Sequence, residues 1–328
     1  MKSDEKRPHL SIIVPVHNEE DNLRELYEKL RATLESHSIS FEIIFIDDGS
    51  SDRSLEIIKQ LVRDDPRIRY SSFSRNFGHE SASSCGFRMA EGKAAILMDA
   101  DLQDPPEVIL ELISKWREGY EVVNARRLSR EGESPLKRFT SYTFYRIMNK
   151  FSDIEIPVDV GDFRLVDRKV IDSFNQLRER NRFVRGLFTW VGFKKTEIEY
   201  RRPFRKSGLT KYNYRRLFLL SIDALFSFSL VPLRLCILVG IGTIVLSFSL
   251  AGIIVLQRIF WSLDLPGYAL LATGMFFLGG VQLIFMGVIG EYVGKIYREV
   301  QSRPLYIVKE SSDAQEDLKI LNLNSDCL

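Results

Sequence analysis

The sequence contains few cysteines, has almost no net charge, and lacks an apolar segment at its start. The three cysteines, Cys85, Cys236 and Cys327, are widely spaced, so we expect neither a disulfide framework nor a zinc site. The 46 basic and 44 acidic residues give a formal charge of +2, and we therefore expect no nucleic-acid partner. Because Met1–Leu10 is polar, we expect no signal peptide and no export of the region that follows.

Charged residues are also missing from two long C-terminal stretches. These stretches, Leu235–Leu256 and Tyr268–Gly290, contain 22 and 23 residues. As helices they would each be about 33 Å long, enough to cross a hydrocarbon core of about 30 Å. Buried helices of soluble proteins are the alternative, but those are usually shorter and seldom occur as a charge-free pair. The sequence therefore predicts two transmembrane helices, at about 235–256 and 268–290.

Basic residues flank this predicted pair of spans on its outer sides. The connection between the spans has only Arg258, which Asp264 balances. By the positive-inside rule we expect both termini and the soluble region to face the cytoplasm. The flanking basic residues are Arg201, Arg202, Arg205, Lys206, Lys211, Arg215, Arg216, Arg234, Lys295, Arg298, Arg303 and Lys309.

The charge pattern divides the chain into four parts. We expect a cytoplasmic domain at 1–210, an amphipathic juxtamembrane helix at 211–232, the two spans within 233–292 and a cytoplasmic tail at 293–328. In the juxtamembrane segment, Phe218, Ile222, Leu225 and Phe226 recur at helical spacing, which is typical of a helix lying on headgroups. The polar residues from Glu310 onward predict a loosely ordered end.

Strand-like and helix-like segments alternate in the first 210 residues. This order predicts an α/β fold, with a mostly parallel sheet flanked by helices. In such sheets ligands bind beyond the carboxyl ends of the strands, so the polar residues that follow each strand are the candidates for a site. The predicted strands are Ser11–Val16, Phe41–Asp47, Ile68–Phe73, Ala94–Met98 and Glu121–Ala125.

Acidic residues follow the first two predicted strands. Pro15–Glu20 ends the first strand without a G-x-G-x-x-G sequence, which weakens a dinucleotide-cofactor interpretation. Asp47–Asp52 follows the second strand. These carboxylates are suited to accept hydrogen bonds from ribose hydroxyls and a base edge, although Asp-Asp-Gly-Ser is equally an ordinary turn and helix cap.

The strand Ala94–Met98 leads into an acidic motif. If the strand continues through Asp-x-Asp-x-Gln, alternate side chains point to one side, so Asp99, Asp101 and Gln103 are expected to converge on one hard divalent cation. Such a cation would bridge a nucleotide diphosphate and neutralise a departing phosphate. Asp104, followed by a proline, is expected to cap the next helix.

Taken together, these motifs resemble those of family 2 glycosyltransferases with the GT-A (Rossmann-like) fold. The resemblance covers about residues 9 to 309. Later motifs and the paired spans resemble the polyprenyl-phosphate branch, particularly the bactoprenol glucosyltransferases, with dolichyl-phosphate mannose synthases as more distant relatives. The motifs are Pro15–Glu19, Asp47–Ser50, Ser74–Gly78, Asp99–Pro105, Val160–Leu165 and Arg205–Lys211. One departure is His17, where the family usually has Tyr or Phe.

The resemblance assigns roles to individual residues. It implies that Asp99 and Asp101 lie at the donor phosphates, with Asp101, Gln103 and Asp99 as candidate ligands of Mg²⁺ or Mn²⁺. It implies a nucleotide site at Pro15, Val16, Glu19, Asp47, Asp48 and Asp99, and phosphate or acceptor contacts from Arg126, Arg138, Arg205 and Lys211. Asp162, Asp99 and Asp101 are the candidate catalytic residues.

The expected reaction is inverting, metal-dependent transfer of a hexose, glucose from UDP-glucose, to undecaprenyl phosphate for cell-envelope or O-antigen glycosylation. A lipid monophosphate has a second pKa of about 6, so it is already nucleophilic near neutral pH. Asp162 is therefore expected to orient the sugar or acceptor, or to stabilise positive charge at the anomeric carbon; the alternative is a plain turn residue. We expect a multi-pass protein of the bacterial inner (plasma) membrane and a homo-oligomer, for which relatives suggest a tetramer.

Three other functions remain open on sequence grounds. The transferred sugar can be mannose or an aminoarabinose derivative, since no motif fixes which hydroxyls are read. A membrane-tethered nucleotide-sugar sensor without turnover is disfavoured because the acidic and basic sets occur together. A processive polysaccharide synthase typically has a Gln-x-x-Arg-Trp signature, whereas Thr189-Trp190 here lacks the preceding glutamine and arginine.

Overall fold

In the computed structural model, which describes residues 8–128, 160–180, 182–201, 231–261 and 267–313, the runs rich in Ile and Val form buried strands. The five strands predicted from the sequence are all present, with ends that differ by at most two residues. The strands are β1 (Leu10–Val16), β2 (Phe41–Asp47), β3 (Ile68–Phe73), β4 (Ala94–Leu97), β5 (Val122–Arg127), β6 (Val160–Asp167), β7 (Lys195–Tyr200) and β8 (Val308–Ser311).

Helices follow most of these strands, as the alternating pattern predicts. Their apolar residues recur every three to four positions and point toward the sheet, as Leu23, Leu26 and Leu30 do in the first helix. The helices are α1 (Leu23–Ser36), α2 (Ser54–Asp64), α3 (His79–Met89), α4 (Val108–Arg117), α5 (Arg168–Gln176), α6 (Val184–Trp190), α7 (Val231–Trp261) and α8 (Gly267–Val300).

The eight strands form one mixed sheet in the order β7-β5-β6-β4-β1-β2-β3-β8. β1 to β5 and β7 point in one direction, whereas β6 and β8 run antiparallel to their neighbours. The start of β6 therefore lies at the same edge as the carboxyl ends of β1 to β5. This arrangement confirms the predicted α/β fold with a mostly parallel sheet.

The sheet is covered on both faces. Successive β1 side chains alternate between two apolar cores, with Ile12 in one and Ile13 in the other. The first core is formed with α1, α2 and α4, and the second with α3, α5 and α6. Pro15 fits in β1 because the β1–β4 pairing ends at Ile13, which leaves the strand with one neighbour at the proline.

β8 is an element that the sequence analysis did not predict. It pairs antiparallel with β3 and covers what would otherwise be a sheet edge. Tyr306 stacks on Phe73 with ring centroids 4.7 Å apart, and the backbone N–H of Ser74 donates to the carbonyl of Ile307 at 2.9 Å. Glu310 pairs with Lys59 at 2.7 Å. The expected loose order from Glu310 onward is therefore wrong for 310–313, because these residues have partners on β3 and α2.

The chain divides into two compact units, and α7 and α8 belong to the second. Two segments of these helices, Leu233–Leu250 and Gly274–Val300, are long and apolar enough to cross a membrane, and neither is buried. Phe248 is 77% exposed and Phe276 is 84% exposed, whereas the core helix of a soluble protein would bury such side chains. The predicted juxtamembrane helix 211–232 lies outside the described residues except at its last two positions.

Candidate active site

Asp47 is the last residue of β2 and Asp48 follows it; both are buried, and the surrounding chain supplies their hydrogen-bond donors. Asp47 accepts the Ser72 hydroxyl at 2.7 Å through one oxygen and the backbone N–H of Ser50 at 3.0 Å through the other. Asp48 accepts the backbone N–H groups of Phe77 at 2.6 Å and Gly78 at 2.9 Å. Asp47 therefore ties the β2 loop to β3, and Asp48 ties it to the loop that precedes α3.

Burial has the largest influence on Asp48 and raises the pKa of this carboxyl, which the two backbone N–H groups only partly offset. Gly49, next along the chain, has φ +65°, and a Cβ built on it would lie 2.4 Å from the carbonyl carbon of Arg75. Only glycine permits both the backbone conformation and this approach. The two loops are thus closely packed beside the candidate nucleotide residues.

The other nucleotide candidates lie at the end of β1. Pro15 and Val16 are buried strand residues that pair with the end of β2. Glu19 belongs to the connection to α1, where its carboxylate accepts the Asn22 side-chain amide at 2.6 Å. His17 Nδ1 lies 3.0 Å from the carbonyl oxygen of Asp48, so it donates when Nδ1 carries the proton. The candidate nucleotide residues therefore lie together at the carboxyl ends of the parallel strands.

The strand alternation expected to orient Asp99, Asp101 and Gln103 is wrong, whereas their binding of one cation stays a prediction. β4 ends at Leu97, and the chain turns at 100–102 with a positive φ of 58° at Leu102. The turn, and not strand alternation, therefore sets the directions of the three side chains. Asp101 accepts the backbone N–H of Gln103 at 3.2 Å within this turn.

Asp104 also differs from its expected role. Helix α4 begins at Val108, with Glu107 at the capping position. Asp104 is fully buried and accepts the Tyr200 hydroxyl at 2.7 Å and the backbone N–H of Asp99 at 3.3 Å. It thus fixes the backbone of the acidic turn against β7 instead of capping the helix.

The acidic turn fits a divalent cation only in part. Among the described residues, no group of three or more His, Cys, Asp or Glu side chains is placed to hold a metal by itself. Mg²⁺, however, is commonly bound by one or two carboxylates together with substrate phosphates. Asp99 and Asp101 supply hard oxygen donors of this kind, so the residues fit an ion whose ligand set the substrate completes.

Asp162 lies near the start of β6 and is held by two cationic side chains. Its carboxylate accepts two parallel hydrogen bonds from Arg185, each 2.7 Å long, from Nε and Nη2. His79 Nε2 lies 3.4 Å from Asp162 Oδ2 and 4.0 Å from Asp99 Oδ1. The structure therefore brings together two of the three candidate catalytic residues, with His79 between them.

The charges around Asp162 determine its ionisation. Burial alone would raise its pKa, but the bonds and charge of Arg185, followed by the imidazole of His79 3.4 Å away, hold the pKa well below its usual range. For His79, burial would lower the pKa, but Asp162 and then Asp99 raise it to about 9. At neutral pH the carboxylate is therefore ionised and the imidazole is protonated.

Arg164 supports the same strand from inside the protein. It is 1% exposed and donates to the carbonyl of Gly161 at 2.9 Å. Burial lowers the pKa of Arg164 to about 10, which leaves it charged at neutral pH. This third cation fixes the backbone just before Asp162.

Arg126 and Arg127 lie next to each other at the end of β5 but have different surroundings. Arg126, the residue predicted to contact phosphate or acceptor, is 49% exposed and lies 3.8 Å from Glu197. Arg127 Nε lies 3.4 Å from the Tyr200 hydroxyl. Burial would lower the pKa of Arg127, but Tyr200, followed by Asp104 and Asp99, raises it. The role of Arg126 stays a prediction, and Arg127 is the arginine close to the acidic turn.

Sequence reasoning missed His79, Arg185 and Arg127. His79 directly follows Ser74–Gly78, one of the motifs on which the resemblance rests, so the sequence held a signal for it. Arg185 comes 23 residues after Asp162, and nothing in its local pattern indicates that contact. The predicted phosphate or acceptor residues Arg138, Arg205 and Lys211 lie outside the described residues.

Acidic residues follow β2 and β4 at the carboxyl ends of the parallel strands, where ligands of such sheets bind. The family model described as "Glycosyl transferase family 2" matches residues 11–174 of this chain. A glycosyltransferase of Synechocystis sp. is 47% identical over 301 residues, covering 92% of this chain and 95% of the relative. The chain belongs to glycosyl transferase family 2 and is a glycosyltransferase, as the motifs predicted.

Two other similar proteins have names that specify a particular reaction. The bactoprenol glucosyl transferase of Shigella phage SfII is 42% identical over 302 residues, covering 92% of this chain and 98% of the relative. Among solved structures, the glucosyl-3-phosphoglycerate synthase of Mycobacterium tuberculosis in complex with Mn²⁺, UDP-glucose and phosphoglyceric acid has a TM-score of 0.46 and 15% identity. That match covers 68% of this chain and 78% of the other.

Proposed function

We propose that this glycosyltransferase transfers glucose from UDP-glucose to a polyprenyl phosphate, undecaprenyl phosphate, with inversion at the anomeric carbon. The observation that carries the proposal is the state of Asp162, a carboxylate held ionised by Arg185 and His79 beside Asp99. The bactoprenol glucosyl transferases, 42% identical over most of both chains, support the choice of sugar and acceptor.

The chemistry requires little proton transfer from the protein. A phosphate oxygen of the acceptor forms a bond to the anomeric carbon, and the bond from that carbon to the β-phosphate oxygen of the donor breaks with its electron pair leaving on UDP. A phosphate monoester is mostly dianionic at neutral pH and attacks without a base. This fits Asp162, because a carboxylate with a strongly lowered pKa is a poor proton acceptor.

The protein must instead bring two anions together and stabilise the charge that develops. We infer that Asp162 stabilises positive charge at the anomeric carbon, and that protonated His79 supplies a positive charge between the two acidic residues, 3.4 Å from Asp162 and 4.0 Å from Asp99. Arg127, 3.4 Å from the Tyr200 hydroxyl that binds Asp104, adds a further cation beside the acidic turn. A divalent ion, held by Asp101, Gln103 and Asp99, would supply charge neutralisation for the departing diphosphate when bound.

The acceptor is a lipid, and α7 and α8 give the protein a means of reaching it. We propose that both helices cross the bacterial inner membrane, with the sheet unit and both termini in the cytoplasm. Their exposed apolar side chains support this proposal, and so does the scarcity of basic residues between them. Because two helices bury little surface by themselves, we also propose a homo-oligomer within the membrane.

Transfer can be tested in membranes that contain the protein, supplied with labelled UDP-glucose and undecaprenyl phosphate. We expect a labelled lipid product, its loss with EDTA, and recovery when Mg²⁺ or Mn²⁺ is added back. Asp101→Ala should reduce transfer by about 100-fold, the size typical of losing an electrostatic group in a phosphoryl-leaving site.

The matched control is Asp172→Ala, which removes an exposed aspartate on α5 that contacts Arg168 at 3.6 Å. This variant should keep wild-type transfer. Full transfer by Asp101→Ala, or activity that is insensitive to chelation, would contradict the metal-dependent part of the proposal. No labelled lipid from the wild-type protein would contradict the proposed acceptor.

A further inference from the structure

His79 and Asp162 lie within a closed set of contacts that joins α3, α6 and β6. α3 begins at His79, so His79 and Glu80 are its first two residues. Glu80 accepts the backbone N–H of Val184, the first residue of α6, at 2.9 Å. Arg185 comes next in α6 and donates twice to Asp162. Asp162 in turn lies 3.4 Å from His79, which closes the ring.

Aromatic packing fixes α6 in this position. Phe188 packs edge-on against Phe87 of α3 with ring centroids 5.0 Å apart, and stacks on Phe174 of α5 at 4.7 Å. Phe188 is one helical turn after Arg185, so its buried ring limits the rotation of the helix. The guanidinium of Arg185 is therefore presented to Asp162 by a helix that is held at both its start and its middle.

The geometry of the Arg185–Asp162 pair is specific to arginine. Two parallel bonds from Nε and Nη2 fix both oxygens of the carboxylate in the plane of the guanidinium. A lysine would supply the same charge from a single point and leave the carboxylate free to turn. The pair thus determines the orientation of Asp162 as well as its charge.

We propose that Arg185 is a positioning residue, which orients the Asp162 carboxylate relative to His79 and Asp99 so that its charge faces the reacting sugar. This inference rests on the proposed function. Arg185 acts through Asp162, and it is not needed for the donor nucleotide to bind, because the nucleotide candidates Asp47 and Asp48 are held by other residues.

The test compares Arg185→Gln and Arg185→Lys with the wild-type protein in the lipid-transfer assay, with donor concentration varied. For Arg185→Gln we expect kcat to fall by about 100-fold, as for a misplaced catalytic group, while the donor KM changes by less than about threefold. Arg185→Lys should recover only part of the loss, since it restores the charge but not the two-bond geometry.

Arg182→Gln is the matched control, because Arg182 is a buried arginine three residues before Arg185 and just before α6. It donates to the carbonyls of Leu177 at 2.5 Å and Glu179 at 3.1 Å and lies over the Phe174 ring. Its loss should lower the melting temperature and leave kcat per folded protein unchanged. An equal fall in kcat for Arg182→Gln and Arg185→Gln would indicate a merely structural role and overturn the inference.

Two further outcomes would also overturn it. Wild-type kcat in Arg185→Lys would mean that charge suffices without orientation, and a raised donor KM at constant kcat would place Arg185 in donor binding. Failure of the proposed function is distinguishable from both, because in that case the wild-type protein itself forms no glucosyl lipid. That result would remove the basis of the inference together with the function.

Discussion

Asp48 and Asp162 are both buried carboxylates at the same edge of the sheet, but different groups hold them. Backbone N–H groups of Phe77 and Gly78 bind Asp48, whereas the side chains of Arg185 and His79 surround Asp162. The pKa of Asp48 is raised because burial outweighs two amide dipoles. The pKa of Asp162 is lowered because a guanidinium outweighs the same effect.

This difference indicates two separate uses of a buried carboxylate. A carboxylate bound by backbone amides ties two loops together and helps to shape a pocket. A carboxylate between cations keeps its charge and can act on a reacting centre. We therefore expect changes near Asp48 to affect donor binding and stability, and changes at Asp162 to affect turnover.

The largest effect is expected when Asp162 is replaced by asparagine. Asp162→Asn removes the negative charge but keeps the shape, so kcat should fall by at least about 100-fold with a nearly unchanged donor KM. Asp48→Asn should instead weaken donor binding by about tenfold, because an amide can accept only one of the two backbone N–H groups. Steady-state kinetics of both variants measures this contrast, and the same kinetic signature in the two would remove the distinction.

A smaller effect is expected at Gly49, which tests how closely the loops beside Asp48 are packed. In Gly49→Ala the new Cβ would overlap the backbone of Arg75, and we expect a loss of about 3 kcal/mol in the free energy of unfolding. Gly119→Ala is the control, since Gly119 also has a positive φ, of +94°, but has no atom within 4 Å of the added Cβ. It should cost about 1 kcal/mol.

Denaturant unfolding of the two glycine variants gives the comparison directly. Because both positions share the unfavourable φ, the difference between them isolates the close contact with Arg75. Equal losses in the two variants would mean that backbone conformation alone explains the requirement for glycine, and that the two loops can move apart.

The smallest effect is expected at Ser72, which donates to Asp47 from β3. Ser72→Ala removes one hydrogen bond of 2.7 Å and leaves the Ser50 N–H on the same carboxylate. We expect a loss of about 1 kcal/mol in unfolding free energy and a donor KM within about twofold of wild type. A complete loss of donor binding would show that Asp47 depends on this side chain and not on the backbone.

The positions of five strands and their mostly parallel arrangement were predictable, because both depend on local sequence pattern. Ile and Val runs bounded by polar residues predict the five parallel strands, and the carboxyl ends of such strands predict a shared edge. The helices α7 and α8 follow from length and apolar composition alone. Composition carries this information, because strands covered on both faces are continuous apolar runs and the two long helices are apolar along their length.

Contacts between distant residues were not predictable in this way. Arg185 meets Asp162 because α6 packs on α3, and β8 joins β3 although the two apolar helices intervene in the chain. The acidic turn after β4 was predicted with the wrong geometry, since the strand ends at Leu97 and Asp104 fixes the following backbone from inside. In each case the structure depends on a partner that is distant in the sequence, and the local pattern does not indicate that partner.

The proposed glucosylation of a polyprenyl phosphate is tested most directly by mass spectrometry of the lipid product. Membranes containing the protein would be offered undecaprenyl phosphate with UDP-glucose, a mannose nucleotide or an aminoarabinose nucleotide in parallel. We expect one added hexose on the lipid phosphate with UDP-glucose, and little or no product with the others. A product formed only from another sugar nucleotide, or no lipid product from any donor, would contradict it.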